Sequence, residues 1–320
     1  MGGDVMKKIF FLFLITLCFA GDLNLMFWNV ENFFDINDDP KKKDGAFLPG
    51  GIKRYTYRSY CLKVQHLADV INSIDPHVLA MVEVENQIVL EALKNELKQR
   101  DKWQIIIDEG PDIRGIDPAL MFRDDKVTYC YHVYYPVYIQ QRGYYSRPIM
   151  RVDLAIKESN DTLAIFINHW PSRRGGKAVS DTYRNYAASV LIDAVDKTLT
   201  DHPNYRIVIT GDFNDDHQDS CFKILCDHPN INYIEKELPR QVYGTYYHNG
   251  EWIHFDHFLV ANFNGIDHKI NSARIIAPSW IRDKKTNGPL RFYKGSETLG
   301  GYSDHYPILL KLGFRRKYVE

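Results

Sequence analysis

Short apolar runs alternate with amphipathic stretches along most of this chain. Leu23 to Trp28, Val78 to Val82, Gln104 to Asp108, Ala119 to Phe122 and Val127 to Tyr135 read as strands. So do Arg151 to Lys157, Leu163 to Asn168, Arg206 to Thr210, Trp252 to Val260 and Pro307 to Leu312. Ser59 to Ser73 reads as a helix, with Val64, Leu67, Ala68 and Ile71 on one face. Gln87 to Arg100 is a second helix. Thr182 to Leu199 is a third, with Ala187, Val190, Leu191 and Ala194 aligned. Many strands follow one another with no helix between them. That order predicts an α/β fold of mixed sheets with helices outside, not a doubly wound parallel sheet. No repeat, low-complexity linker or composition shift marks a domain boundary.

Bulk properties narrow the picture. With 320 residues, 45% of them apolar, the chain can bury a large core as one domain or two. A net charge of −1 argues against duplex DNA binding through global charge. The basic clusters at Lys41 to Lys43, Arg173 with Arg174 and Lys177, Lys284 with Lys285, and Arg315 to Lys317 read as solvated loops or tails. Only the Arg173 cluster sits beside a chemically interesting residue.

Lys7-Lys8, an apolar run from Ile9 to Phe19, and Ala20 before Gly21 form a processing signal over residues 1–20. The run is short for a membrane span. Leu17, where a small residue is expected, argues against lipid attachment at Cys18. The mature chain from Gly21 is therefore expected to be exported, to the periplasm or beyond. Its four cysteines, Cys61, Cys130, Cys221 and Cys226, are too few for a disulfide framework and lack zinc-site spacing.

The chemistry gathers where strands end. Leu23 to Trp28 is followed by Asn29 and Glu31, Val78 to Val82 by Glu83, and Leu163 to Ile167 by Asn168-His169. Arg206 to Thr210 runs into Gly211-Asp212-Phe213-Asn214, and Ser303-Asp304-His305 precedes the last strand. Asp212 and Asn214 are two apart, so an extended backbone aims both one way. Strand ends on one sheet edge converge, and function sits on such loops. If Trp252 to Val260 is one strand, His254 and Asp256 share a face, and His257 on the other is a hydrogen-bonded core histidine. Glu31, Glu83, Asp212, Asp256 and Asp304 cannot gather without strong mutual repulsion. A hard divalent cation relieves it, and oxygen ligands suit Mg²⁺, Mn²⁺ or Ca²⁺. His169 and His305 suit acid/base work beside carboxylates.

These residues, in this order, resemble the endonuclease/exonuclease/phosphatase superfamily, which includes deoxyribonuclease I. Phe27-Trp28-Asn29-Val30-Glu31-Asn32 resembles its first motif, and Ala80-Met81-Val82-Glu83-Val84-Glu85 its glutamate motif, with Val82 where Gln is usual. Asn168-His169, Gly211-Asp212-Phe213-Asn214, Asp256 and Ser303-Asp304-His305 complete the set, from Gly21 to about Gly313. The resemblance implies a four-layer sandwich of two mixed β-sheets flanked by helices, deoxyribonuclease I-like, as a single domain over residues 21–320. It implies Glu83 as main metal ligand, with Asn29, Glu31 and Asp304 near the metal, which is Mg²⁺ or alternatively Mn²⁺ or Ca²⁺. Asp212 and Asn214 position the attacking water and the phosphate. His305, oriented by Asp256, is the acid/base or phosphate-stabilising histidine, and His169 is the second. Arg114, Arg147, Arg173 and Arg184 are candidate phosphate-binding side chains. The expected activity is that of a monomeric phosphodiesterase acting on DNA or RNA, with no stable protein partner. A membrane lipid such as sphingomyelin, or a small phosphomonoester, is the alternative substrate. A non-catalytic binding module on the same scaffold is the third reading, which the retained acidic and histidine residues argue against. An aromatic hairpin at Tyr129 to Tyr138 would favour lipid, although a sheet strand is the simpler reading there.

Overall fold

The computed structural model describes residues 19–159, 161–173, 175–263 and 268–315. The expected leader lies outside these, save Phe19 and Ala20, which open the first strand. That strand, β1, runs over Phe19–Phe33, far past the apolar core of the run. It is long because it is paired on both sides.

The remaining main strands, in chain order, are β2 (Val78–Val84), β3 (Trp103–Ile106), β4 (Asp117–Arg123), β5 (Val127–Tyr135) and β6 (Ile149–Ile156). They continue with β7 (Thr162–His169), β8 (Arg206–Asp212), β9 (Ile231–Ile234), β10 (Asp256–Ala261), β11 (His268–Ile275) and β12 (Ile308–Arg315). The helices are α1 (Tyr57–Ile74), α2 (Gln87–Glu96), α3 (Lys177–Asp201) and α4 (Ser220–Cys226). One six-stranded sheet has the order β11-β12-β1-β2-β4-β3, the other β9-β10-β8-β7-β6-β5. Each is mixed. Its one parallel pair, β1/β2 or β7/β8, sits at the centre with antiparallel strands outside.

Side-chain alternation builds the layers. On β7, Leu163, Ile165 and Ile167 face the core between the sheets, while Ala164 and Phe166 face α3. On β8, Val208 faces inward and Ile207 and Ile209 outward. Helices α1 and α2 cover the first sheet with Val64, Leu67, Leu90 and Leu93. The result is helix, sheet, sheet, helix, the four-layer sandwich that the sequence implied. No helix of the described residues is long and apolar enough to cross a membrane. Cys61, Cys130, Cys221 and Cys226 are free thiols.

Two local readings change, and a third, the strand at Tyr129 to Tyr138, stands. Helix α2 stops at Glu96 rather than Arg100, because Leu97 is extended and Gln99 is left-handed at φ 54°. Trp252 to Val260 is not one strand. Thr245 Oγ1 takes the N–H groups of both Phe255 and Asp256, and Asp216 takes that of His254, so the backbone bends between Ile253 and Asp256. Residues Glu251–Ile253 instead pair with Tyr246–His248, and β10 starts at Asp256. The tyrosine-rich span at 129–138 is largely the edge strand β5, paired with β6. A separate small hairpin joins Tyr138–Ile139 to Tyr144–Tyr145.

Candidate active site

The central parallel pairs deliver their ends to one edge. His169 is opposite Asp212 in the β7/β8 register, and Asp212 is opposite Asp256 in β8/β10. Three chemical residues thus occupy one rung across three strands. Gly211 permits this: a Cβ there would sit 2.3 Å from the Asn168 carbonyl oxygen. In the facing sheet Asn29 is opposite Val82, which puts Glu83 one residue beyond. Glu31, Asn32, Glu83 and Asn214 all have positive φ, between 51° and 66°. Such backbone is rare outside glycine and clusters at functional sites.

Asn29 is the hinge of an acidic corner. Its Nδ2 donates to Asp212 Oδ2 at 2.9 Å and to Glu83 Oε1 at 3.4 Å. The Asn32 N–H fixes the other Glu83 oxygen at 2.8 Å. His169 Nε2 lies 3.6 Å from Glu83 and 3.7 Å from Asp212. On the other side, His305 Nδ1 is 2.8 Å from Asp256 Oδ2, and its Nε2 is 3.7 Å from the same Asp212 oxygen. Ser303 Oγ donates to the Asn29 carbonyl and accepts from the His305 N–H, while Trp28 Nε1 donates to the His305 carbonyl. These bonds tie the last motif to the first.

Burial pushes the Asp212 carboxyl up to about 7, with neighbouring Asp256 adding to the rise and His305 opposing it. For His305 burial works against the charge, but Asp256 and Asp212 outweigh it, and its pKa lies well above 6.5. His169 goes the other way: burial, then the charges of Arg147 and Arg114, hold it well below 6.5 and neutral. The site therefore offers one imidazolium and one imidazole beside the same carboxylate.

The carboxylate oxygens of Glu83 and Asp212 fit a hard divalent cation. Asn29 links them through its amide nitrogen, its own oxygen being taken by the Glu31 N–H, which corrects its assignment as a metal ligand. Among the described residues, one ligand atom from each of Asp212, Asp256 and His305 lies within 4.8 Å of the others. There Nδ1 is spent on a hydrogen bond to Asp256, so this set is a dyad rather than a cation cage.

A family model described as the endonuclease/exonuclease/phosphatase family matches residues 24–313. The chain belongs to that family. It is a phosphoester hydrolase of a divalent-metal-dependent class. A comparison with curated proteins gave no match. Among solved structures it is similar to a family protein from Bacteroides thetaiotaomicron, with TM-score 0.63, 16% identity, and 94% of this chain and 99% of that one covered. It is similar to the mannosyl-6-phosphatase Bt3783 of B. thetaiotaomicron VPI-5482, with TM-score 0.61, 17% identity, and coverage of 91% and 100%. It is also similar to D. rerio TDP2 complexed with single-strand DNA product, with TM-score 0.59, 13% identity, and coverage of 91% and 98%.

Not every residue suggested by the family motifs reaches the corner. Glu31 turns away, because its two carboxylate oxygens accept the N–H groups of Phe292 and Tyr293 at 2.6 and 3.0 Å. Burial first, then Asp304, raises its pKa to about 8. Asp304 is part-exposed and lies 3.8 Å from Arg291. The Asn214 amide donates to the Trp170 carbonyl, and its backbone N–H to Asp212 Oδ1, so it shapes the turn that aims Asp212. His257 is a buried, hydrogen-bonded core residue, as its position suggested.

The four arginines separate. Arg147 is walled in, donating to the carbonyls of His169 and Trp170 and to Asp112. Arg173 and Arg184 are corrections to the phosphate-binding assignment. Arg173 holds the Asn214 carbonyl, Asp215 and Asp219, and Arg184 holds Pro171, Asp181 and buried Asp215. Both brace the loop behind Asp212. Arg184→Met is expected to cost about 3 kcal/mol of stability, because it removes the fully buried partner of Asp215 and leaves that carboxylate to Arg173 alone. Urea unfolding measures this; an unchanged midpoint with a raised KM would return Arg184 to substrate binding. Arg114 keeps the most open head of the four, 38% exposed beside Asp112, against 28% for Arg173.

Two positions escaped the sequence reading. Lys63 lies on the apolar face of α1 beside Val64 and Leu67, fully buried, and donates to the Tyr302 carbonyl over the Phe292 ring. A lysine inside an apolar stripe was the available signal. Asp215, directly after Asn214, anchors both bracing arginines and was masked by its likeness to a turn residue.

Proposed function

We propose that this family member is an exported, Mg²⁺-dependent phosphodiesterase that cleaves nucleic acid strands. The observation that carries the reading is the double approach to Asp212 Oδ2, with His169 Nε2 and His305 Nε2 each 3.7 Å away. Asp212, with a pKa of about 7, holds the attacking water and takes its proton as the water closes on phosphorus in line with the leaving oxygen. His305, kept cationic by Asp256, faces the charge that grows on the phosphoryl oxygens. Glu83 and Asp212, spaced by the Asn29 amide, are the residues that would hold the cation, which when bound would supply Lewis-acid stabilisation. His169, held neutral, offers a second hydrogen-bonding imidazole without a competing positive charge.

A second reading is a phosphomonoesterase on the same site, favoured by the similarity to the mannosyl-6-phosphatase along that protein's whole length. Lipid is less favoured, since the span at Tyr129 to Tyr138 is mostly sheet edge. The test is a panel of plasmid DNA, RNA, p-nitrophenyl phosphate, a sugar 6-phosphate and sphingomyelin vesicles with Mg²⁺. Strand cleavage that EDTA stops and Mg²⁺ restores is expected. Turnover of the monoesters alone would replace the nuclease reading by the phosphatase one.

A further inference from the structure

A cavity of about 420 Å³ opens beside the strand end that carries His169. Arg147 is its shared wall, since the guanidinium that lines it also bonds the carbonyls of His169 and Trp170. Pro171 and Ser172, the next residues of the chain, form its floor. The charges of Arg147 and Arg114 reach His169, so cavity and catalytic corner adjoin.

Its lining departs from the rest of the molecule. It holds three arginines, Arg114, Arg142 and Arg147, against one aspartate, Asp112, whereas the whole chain carries −1. Arg142 is preorganised: it lies over the Tyr183 ring at 5.3 Å and donates to its hydroxyl. Tyr145, half-exposed, stands at the mouth with its ring 4.8 Å from that of Tyr138. Cationic heads beside a part-exposed aromatic ring match an anion joined to a planar ring. A choline headgroup, being cationic, would be repelled, and a duplex keeps its base faces stacked on one another.

We propose that this cavity receives an unpaired nucleotide next to the scissile phosphate, with its base against Tyr145 and its own phosphate drawn by Arg114 and Arg142. The proposal rests on the nuclease reading above and adds a preference for single strands. Stacking on an aromatic side chain is tolerant of sequence, so no base preference is built in.

The test uses the full mature protein with Mg²⁺ and three substrates: a single-stranded oligonucleotide, its duplex, and bis-p-nitrophenyl phosphate. The single strand is expected to be cut faster than the duplex. Tyr145→Ala should lower the ratio of kcat/KM for the oligonucleotide to that for the nitrophenyl diester by about tenfold or more. Tyr145→Phe should restore the ratio, and Tyr129→Ala, on the exposed edge strand, should leave it unchanged. Arg114→Ala should flatten the salt dependence of oligonucleotide KM by roughly one counter-ion. Nucleic acid cleavage that prefers duplex, or that ignores Tyr145→Ala and Arg114→Ala, overturns the subsite alone. Diester hydrolysis with no cleavage of either nucleic acid overturns the nuclease reading and the subsite with it.

Discussion

Replacing His305 by alanine is expected to lower kcat about a thousandfold at neutral pH while leaving Mg²⁺ binding close to its original strength. The imidazole Nε2 lies 3.7 Å from Asp212, and fully buried Asp256 holds the ring's other nitrogen at 2.8 Å. Asp256→Asn should cost less, about ten- to a hundredfold, because the ring keeps a hydrogen-bond partner but loses its countercharge. The pH profile separates the two effects. In the native protein the His305 pKa is raised well above 6.5, so the imidazolium persists through neutrality and rate falls as pH climbs through that raised value. With Asp256→Asn the fall should move to lower pH. Stability follows the same sign: a raised folded pKa means that the pair's contribution is complete below about pH 6.5 and is lost as pH rises through the folded value. A His305→Ala enzyme with wild-type kcat, or an Asp256→Asn profile that does not move, would remove the dyad from the reaction.

The residues of this dyad also show how far the sequence reaches. Asp212, Asp256, His169 and Glu83 were legible because each ends or begins an apolar run, and strand register then aligns them: His169, Asp212 and Asp256 share one rung. The layers were legible for the same reason, since alternation along Leu163 to Ile167 states which face meets which neighbour. Glu31 was misjudged because a carboxylate's destination depends on the loop it meets. The Phe292 and Tyr293 N–H groups that capture it lie more than 250 residues away. Arg173 and Arg184 looked like phosphate ligands by type and proximity, yet Asp215 beneath them claims both. Edge strands β9 and β11 were missed because an edge strand needs only one apolar face, and Lys269, Asn271 and Arg274 break the run. The bend that separates Ile253 from Asp256 is set by Thr245 and Asp216, side chains from other segments that no local pattern announces.

Glu83→Gln is the complementary prediction, because it separates the acidic corner from the dyad. The substitution keeps the side chain's length and its left-handed backbone at φ 66°, and removes one charge. Cation affinity in oxygen sites follows ligand charge, so Mg²⁺ binding by calorimetry is expected to weaken at least tenfold. The stabilisation by bound Mg²⁺ should shrink with it: the native protein gains about 2.7 kcal/mol at a hundred times Kd, and the variant at the same concentration about 1.4 kcal/mol or less. The kcat should fall about a hundredfold or more at an Mg²⁺ level that saturates the native enzyme. Asp256→Asn discriminates between the two candidate cation positions. If the ion sits at Glu83 and Asp212, that substitution leaves Mg²⁺ affinity nearly intact, because Asp256 is engaged with His305. If Mg²⁺ binding instead survives Glu83→Gln and disappears with Asp256→Asn, the cation belongs between Asp212, Asp256 and His305, and His305 can no longer be the charged partner of the phosphate.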